Sequence, residues 1–247
     1  MANNMKAPEN SARFPTTSWT MIVNTRDRDV NVSREALEKL CRGYWTPVFA
    51  FLRRKGLDDD QARDCTQSFF TALLEKDYLA DVERSKGNFR SFLLVAVKHF
   101  LSNQLDAERT LKRGGGRAIL QLEFEGPDGL RCNEPEHSLT PEAVFEYQWA
   151  TSLLERTLKR LRDGYPASDF DLMKPFLIGD AARGDGAVAA AQLGMSEGAF
   201  KVAIHRLRKR YREALWAEIE ETVADPSEVD GEIRYLMAIL ARGESGV

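Results

Sequence analysis

The stretch Ala190-Ala-Gln-Leu193-Gly-Met-Ser196-Glu-Gly-Ala-Phe200-Lys-Val-Ala-Ile204-His-Arg-Leu207-Arg-Lys-Arg-Tyr211-Arg-Glu-Ala-Leu215 decides the reading of this chain. Ala190 stands four residues before Gly194, and Phe200 lies six after it. That spacing is the skeleton of a helix-turn-helix. A small residue lets a second helix cross closely, glycine turns the chain, and an apolar residue locks the second helix onto the first. Leu193 and Met195 flank the glycine as apolar anchors, and Ser196 is placed to cap the second helix. Phe200, Ala203, Ile204, Leu207, Tyr211 and Leu215 form its inner stripe. Its outer face then carries Lys201, His205, Arg206, Arg208 and Lys209. Such a face meets phosphates by charge and base edges by hydrogen bonds, which makes Ser196 and these five residues the first candidate DNA contacts. Only half of a capping box is present, because Ala199 occupies the place of the usual Glu. The blander alternative is a helical hairpin with a solvated basic face. The glycine, the cap, the small residue and the cationic run together favour nucleic acid.

Further helices are expected on both sides of this stretch. Ser33 caps a helix through about Lys55, with Leu37, Leu40, Tyr44, Val48, Phe51 and Leu52 at helical spacing and Gly56 at its end. Asp58-Asp59-Asp60 opens a second, where acids complement the positive helix end. Phe89, Phe92, Leu93, Ala96, Val97, Phe100 and Leu101 form one apolar stripe of a third, which runs to about Leu111 and stops at Gly114-Gly115-Gly116. Residues 117–139 read as a linker rich in Gly, Pro and acids, with Gln121-Leu-Glu-Phe as its one extended piece. Thr140 and Pro141 start a helix to about Arg162. Shorter ones are expected over 168–178 and 187–193, then a long one over 197–222 and a last over 227–241. A short helix after Thr17 or Ser18 precedes them all. The expected fold is all-α: two helical modules joined by an acidic linker. The divisions are 1–32, an N-terminal extension; 33–116, a first module; 117–139, the linker; 140–215, the helix-turn-helix module; and 216–247, an acidic C-terminal helical extension.

A net charge of −3 would discourage a nucleic-acid partner if charge were evenly spread, but it is segregated. Lys201 to Arg212 holds six basic residues and no acid, whereas Glu213 to Glu232 holds eight acids and no base. Fields act over roughly 8–10 Å at physiological salt, so patches matter more than the sum. Hydrophobic residues at 43% suffice for real cores, and no apolar run reaches the length of a membrane helix. The opening Met1-Ala-Asn-Asn-Met-Lys-Ala-Pro lacks a secretory signal's apolar stretch, so a cytoplasmic protein is expected. Cys41, Cys65 and Cys132 show no Cys-x-x-Cys spacing, and His99, His137 and His205 are scattered, so neither a metal site nor a disulfide framework is expected. Lys112-Arg113-Gly114-Gly115-Gly116-Arg117 is no phosphate loop, because no Gly-Lys-Ser/Thr closes it. No cofactor and no enzymatic activity are expected.

The third helix places Lys98, His99, Asn103, Arg109, Lys112 and Arg113 away from its apolar stripe or at its end. Basic residues interleaved with aromatics suit melted or single-stranded DNA, although the stripe assigns the phenylalanines themselves to the core. On the second helix, Asp58 to Asp60 and Asp64 either serve the helix dipole or form a protein-docking face with Gln67 and Phe70.

The order of features carries a resemblance. Arg63-Asp-Cys-Thr-Gln67-Ser-Phe-Phe70 precedes Phe89-Arg-Ser-Phe92-Leu-Leu-Val-Ala-Val-Lys98, and after the linker comes Leu193-Gly-Met-Ser-Glu-Gly-Ala-Phe-Lys201-Val-Ala-Ile-His205-Arg206-Leu-Arg208. Over about residues 35–113 and 142–215 this resembles bacterial RNA polymerase sigma factors of the extracytoplasmic-function type. Phe14-Pro-x-Thr-x-Trp19 and Glu221-Thr-Val-Ala-Asp-Pro226 look like a larger branch with extensions at both ends. The resemblance implies that the first module docks on the clamp of core RNA polymerase through Asp64, Gln67 and Phe70, and opens the minus-ten element near Lys98, His99 and Asn103. It implies that the helix after Ser196 enters the major groove of the minus-thirty-five element while its module contacts the polymerase flap. Arg63 stands where the docking helix often carries an acid, and Val202 and Ala203 replace polar or basic residues common in the reading helix.

The expected function is promoter recognition and transcription initiation as a dissociable polymerase subunit, with promoter DNA and core polymerase as partners. An inhibitory partner or a kinase is a further expected regulator. Thr66 is the candidate phosphorylation site, weighed against an ordinary half-buried threonine. The alternative is a stand-alone helix-turn-helix regulator that binds duplex DNA as a dimer.

Overall fold

The computed structural model describes residues 30–75, 88–111, 139–179, 182 and 184–244. All regular structure among them is helical: α1 (Val30–Arg54), α2 (Asp59–Glu75), α3 (Phe89–Leu111), α4 (Pro141–Arg162), α5 (Ala167–Ile178), α6 (Asp185–Gln192), α7 (Glu197–Glu220) and α8 (Val229–Glu244), with a 3-10 turn at Pro226–Glu228. The fold is all-α. The expected first helix after Thr17, the extended piece at Gln121 and nearly all of the 117–139 linker lie outside the described residues.

Local chemistry sets the helix ends. Gly56 closes α1 with φ +99°, in the left-handed region that glycine enters without a Cβ penalty. Asp58 then caps α2: its carboxylate accepts the Gln61 N–H at 2.8 Å while Gln61 Oε1 accepts the Asp58 N–H at 3.1 Å. This reciprocal pair satisfies two donors that the first turn of a helix otherwise leaves open. Asn88 caps α3 through Ser91, and Thr140 caps α4 through Ala143 with Pro141 at the first helical position.

The buried side chains fall into two clusters. The larger takes Tyr44, Trp45 and Phe51 from α1, Phe69 and Phe70 from α2, Phe89, Leu93 and Val97 from α3, and Phe145, Trp149 and Leu153 from α4. It also takes Leu215 and Ile219 from the end of α7, then Val223, Val229, Leu236 and Ile239. The smaller joins Leu161 at the end of α4 with Phe170 and Met173 of α5, Ala189 and Ala190 of α6, and Phe200, Ile204 and Leu207 of α7. The expected boundaries therefore do not divide the core. Residues from the 33–116, 140–215 and 216–247 segments share the larger cluster, and α4 and α7 each run from one cluster to the other. Helices of 22 and 24 residues are long enough for this, at about 33–36 Å by the usual rise.

Arg90 on α3 fixes this arrangement. Only 6% exposed, its guanidinium pairs with Glu146 of α4 at 2.9 Å and Glu232 of α8 at 3.3 Å. It lies over the rings of Trp149, 4.8 Å from the centroid, and Tyr235, at 4.4 Å. A charge this deep is tolerable only when paired, and here acids from two other helices pair it. Asn88 also donates to Glu232, and the Phe89 N–H donates to Thr222 O at 2.8 Å, so the start of α3 sits on the α7–α8 connection.

Candidate nucleic-acid interface

The end of α6 and the start of α7 are joined by the glycine turn that the sequence proposes. Gly194 has φ +65°. Its N–H donates to Ala191 O at 3.1 Å, and the Met195 N–H reaches back to Ala190 O at 2.8 Å. These two bonds are the Schellman pattern, which satisfies the last carbonyls of a helix and reverses the chain in few residues. Ser196 Oγ then accepts the Ala199 N–H at 3.2 Å and starts α7. Ala190 is buried together with Phe200, and Phe176 of α5 meets Phe200 edge to face at 5.0 Å. The burial of Phe200, Ile204 and Leu207 fixes which side of α7 faces inward.

The remaining side of α7 is exposed and cationic, and its basic residues fall into two groups. Arg208 donates twice to Phe176 O, at 2.7 and 3.2 Å, and so satisfies a carbonyl near the C-terminal end of α5. Arg210 donates to the Tyr165 hydroxyl at 2.9 Å and lies over its ring. Lys209 pairs loosely with Glu213 at 3.7 Å, and Arg212 donates to Arg208 O. Lys201, His205 and Arg206 are exposed and have no hydrogen-bond or ion-pair partner among the described residues. Of the six residues expected here, Ser196 is thus a cap, Arg208 is spent on α5, Lys209 is loosely paired, and Lys201, His205 and Arg206 have no partner among the described residues. Burial pushes the Tyr211 hydroxyl beneath this face up to about 12, so it stays a neutral phenol.

The α3 surface differs. Lys98 is exposed but bonded to Glu142 in the first turn of α4, at 2.8 Å. The Lys98 ammonium holds the Glu142 carboxyl below the usual carboxylate range. His99 and Asn103 are exposed without a partner among the described residues. Arg109 belongs to α3, though its side chain lies outside the description, as do Lys112 and Arg113 altogether. Phe89 is buried, and Phe92 and Phe100 pack against the larger cluster from half-buried positions.

On α2, Asp64 is exposed and Gln67 half-buried, but Phe70 is fully buried and stacks on Trp45 at 5.7 Å. Phe70 is therefore a core residue that supports α2 from beneath, and the expectation of its ring as a docking contact is corrected. Thr66 is likewise 0% exposed, with its hydroxyl donating to Ala62 O at 2.6 Å, which shields it from a kinase in this fold.

Sequence spacing did not single out Arg90, Glu146 and Glu232, because their meeting joins positions 142 residues apart. Among the described residues, no cluster of His, Cys, Asp or Glu could hold a metal ion, and no helix is long and apolar enough to cross a membrane. Burial raises the Cys41 thiol above its ordinary value. No protein-family model, curated protein or solved structure matches the chain. The exposed groups without a partner among the described residues are thus Lys201, His205 and Arg206 on α7 and the His99 imidazole and Asn103 amide on α3.

Proposed function

We propose that this chain is a promoter-recognition subunit of bacterial RNA polymerase, a sigma factor of the extracytoplasmic-function type, acting in the cytoplasm. In this reading α6, the Gly194 turn and α7 are a helix-turn-helix, and α7 enters the major groove of the minus-thirty-five element. The observation that carries the reading is the set Lys201, His205 and Arg206, exposed and unpartnered among the described residues, on a helix that Ser196 caps and Phe200 anchors. The surface of α3 at Lys98, His99 and Asn103, with Arg109, Lys112 and Arg113 beyond it, serves the opened minus-ten strand. Asp64 and Gln67 face the polymerase clamp. The chain has no chemistry of its own; the polymerase makes RNA. Two salt-sensitive contacts act together once both are engaged on one DNA, so each can be weak alone.

The test is association with purified core polymerase followed by run-off transcription from genomic fragments. Capture by core and new start sites that require the chain are expected. Failure to bind core defeats the reading. Tight duplex binding without polymerase, together with self-association, would instead identify a stand-alone regulator.

A further inference from the structure

Val202 is 50% exposed in the second turn of α7, between Lys201 and the pair His205 and Arg206. A β-branched side chain in that position loses rotamer freedom in a helix and gains little from burial, so folding does not explain it. Its neighbours one turn toward the N-terminus are Gly198 and Ala199, both exposed, and a Cβ added at Gly198 would meet nothing within 4 Å. That end of the helix is therefore low in profile. Its backbone can approach a groove floor closely, and the methyl groups of Val202 stand above it. The N-terminal part of a recognition helix is the part that reaches base edges. In the major groove, thymine alone presents a methyl group, and apolar side chains read it by contact.

Resting on the reading of α7 as a DNA-recognition helix, we propose that Val202 reads the 5-methyl group of a thymine, flanked by Lys201 and Arg206 as charged contacts. Arg208 is excluded from base reading by its two bonds to Phe176 O. Thymine preference at one position then comes from an apolar contact, and the neighbouring cations supply the affinity.

The experiment enriches duplexes from a randomised pool with the full chain, alone and with core polymerase. Each thymine of the enriched element is then replaced singly by deoxyuridine, which removes only the methyl group. At one position the replacement should weaken binding about three- to fivefold, the scale of one buried methyl. Val202→Ala should bind the thymine duplex more weakly by a similar factor and be indifferent to deoxyuridine at that position. Val202→Thr, which keeps a methyl, should retain part of the preference. An enriched element without thymine, or a deoxyuridine effect that survives in Val202→Ala, overturns the assignment while leaving DNA recognition by α7 intact. A chain that enriches no sequence defeats the functional reading along with it.

Discussion

Helices α3 and α7 both expose basic residues, yet the fold uses them differently. On α3 Arg90 is drawn into the core and held by Glu146 and Glu232, and Lys98 is bonded to Glu142. On α7, Arg208 and Arg210 hold neighbouring segments, but Lys201, His205 and Arg206 remain uncommitted among the described residues. A cation with an internal partner contributes to stability and must surrender that partner to bind anything else. A free one costs the fold little to lose. Basic composition alone therefore says less about a ligand surface than the bookkeeping of partners does.

The largest expected break in this contrast is at Arg90. Arg90→Ala leaves Glu146 and Glu232 facing each other in a half-buried site and should lower the unfolding free energy by about 3–5 kcal/mol, read by urea denaturation. Phe200→Ala, which hollows the smaller cluster, should cost about 3 kcal/mol or more by the same measurement. Removing its partner ring Phe176 should cost less, because Phe176 is only partly buried.

Arg206→Ala should weaken DNA binding by roughly 1–3 kcal/mol and leave the urea midpoint unchanged. Arg208→Ala should do the reverse and cost about 1 kcal/mol of stability, because it uncovers Phe176 O. Equal effects of the two variants on DNA would erase the distinction between free and committed cations. Gly194→Ala should cost roughly 1–2 kcal/mol, since alanine is strained at φ +65°.

The smallest effect is expected at Glu142. The carboxyl is depressed by Lys98, so their pair persists above the ordinary carboxylate range and is lost as pH falls through the lowered value. Glu142→Gln should free Lys98 and tighten binding to single-stranded DNA by less than about fivefold at neutral pH, with little change in thermal stability. The wild type should approach the variant's affinity in acid. Fluorescence anisotropy against pH checks both.

Much of the fold was legible because helices announce themselves locally. The 3.6-residue stripe from Phe89, the acidic start of α2, the Ser196 cap and the Gly194 turn depend on residues within one or two turns of each other. Phe70 shows the limit of a face inferred from adjacency. Six residues advance a helix by about 600°, so Phe70 sits roughly 120° around from Asp64 and falls on the buried side of α2. The destination of α8 was not legible either: its stripe of Ile233, Leu236, Met237 and Leu240 announces an apolar face but not what covers it.

From near neighbours alone the sequence specified most of the described helices, the Gly194 turn, the Ser196 cap and the cationic run on α7, because hydrogen bonds and side-chain periodicity inside one helix are local; it misplaced the start of α1, which is already helical at Val30, ahead of the expected Ser33 cap. Long-range packing settled that α8 joins the core shared by α1–α4 and the end of α7, that Arg90 bridges α3, α4 and α8, and which cations lack a partner among the described residues. Those outcomes depend on charges and apolar faces brought together from distant positions. Burial makes an unpaired charge or an uncovered stripe costly, and the packing that resolves that cost is a property of the whole chain.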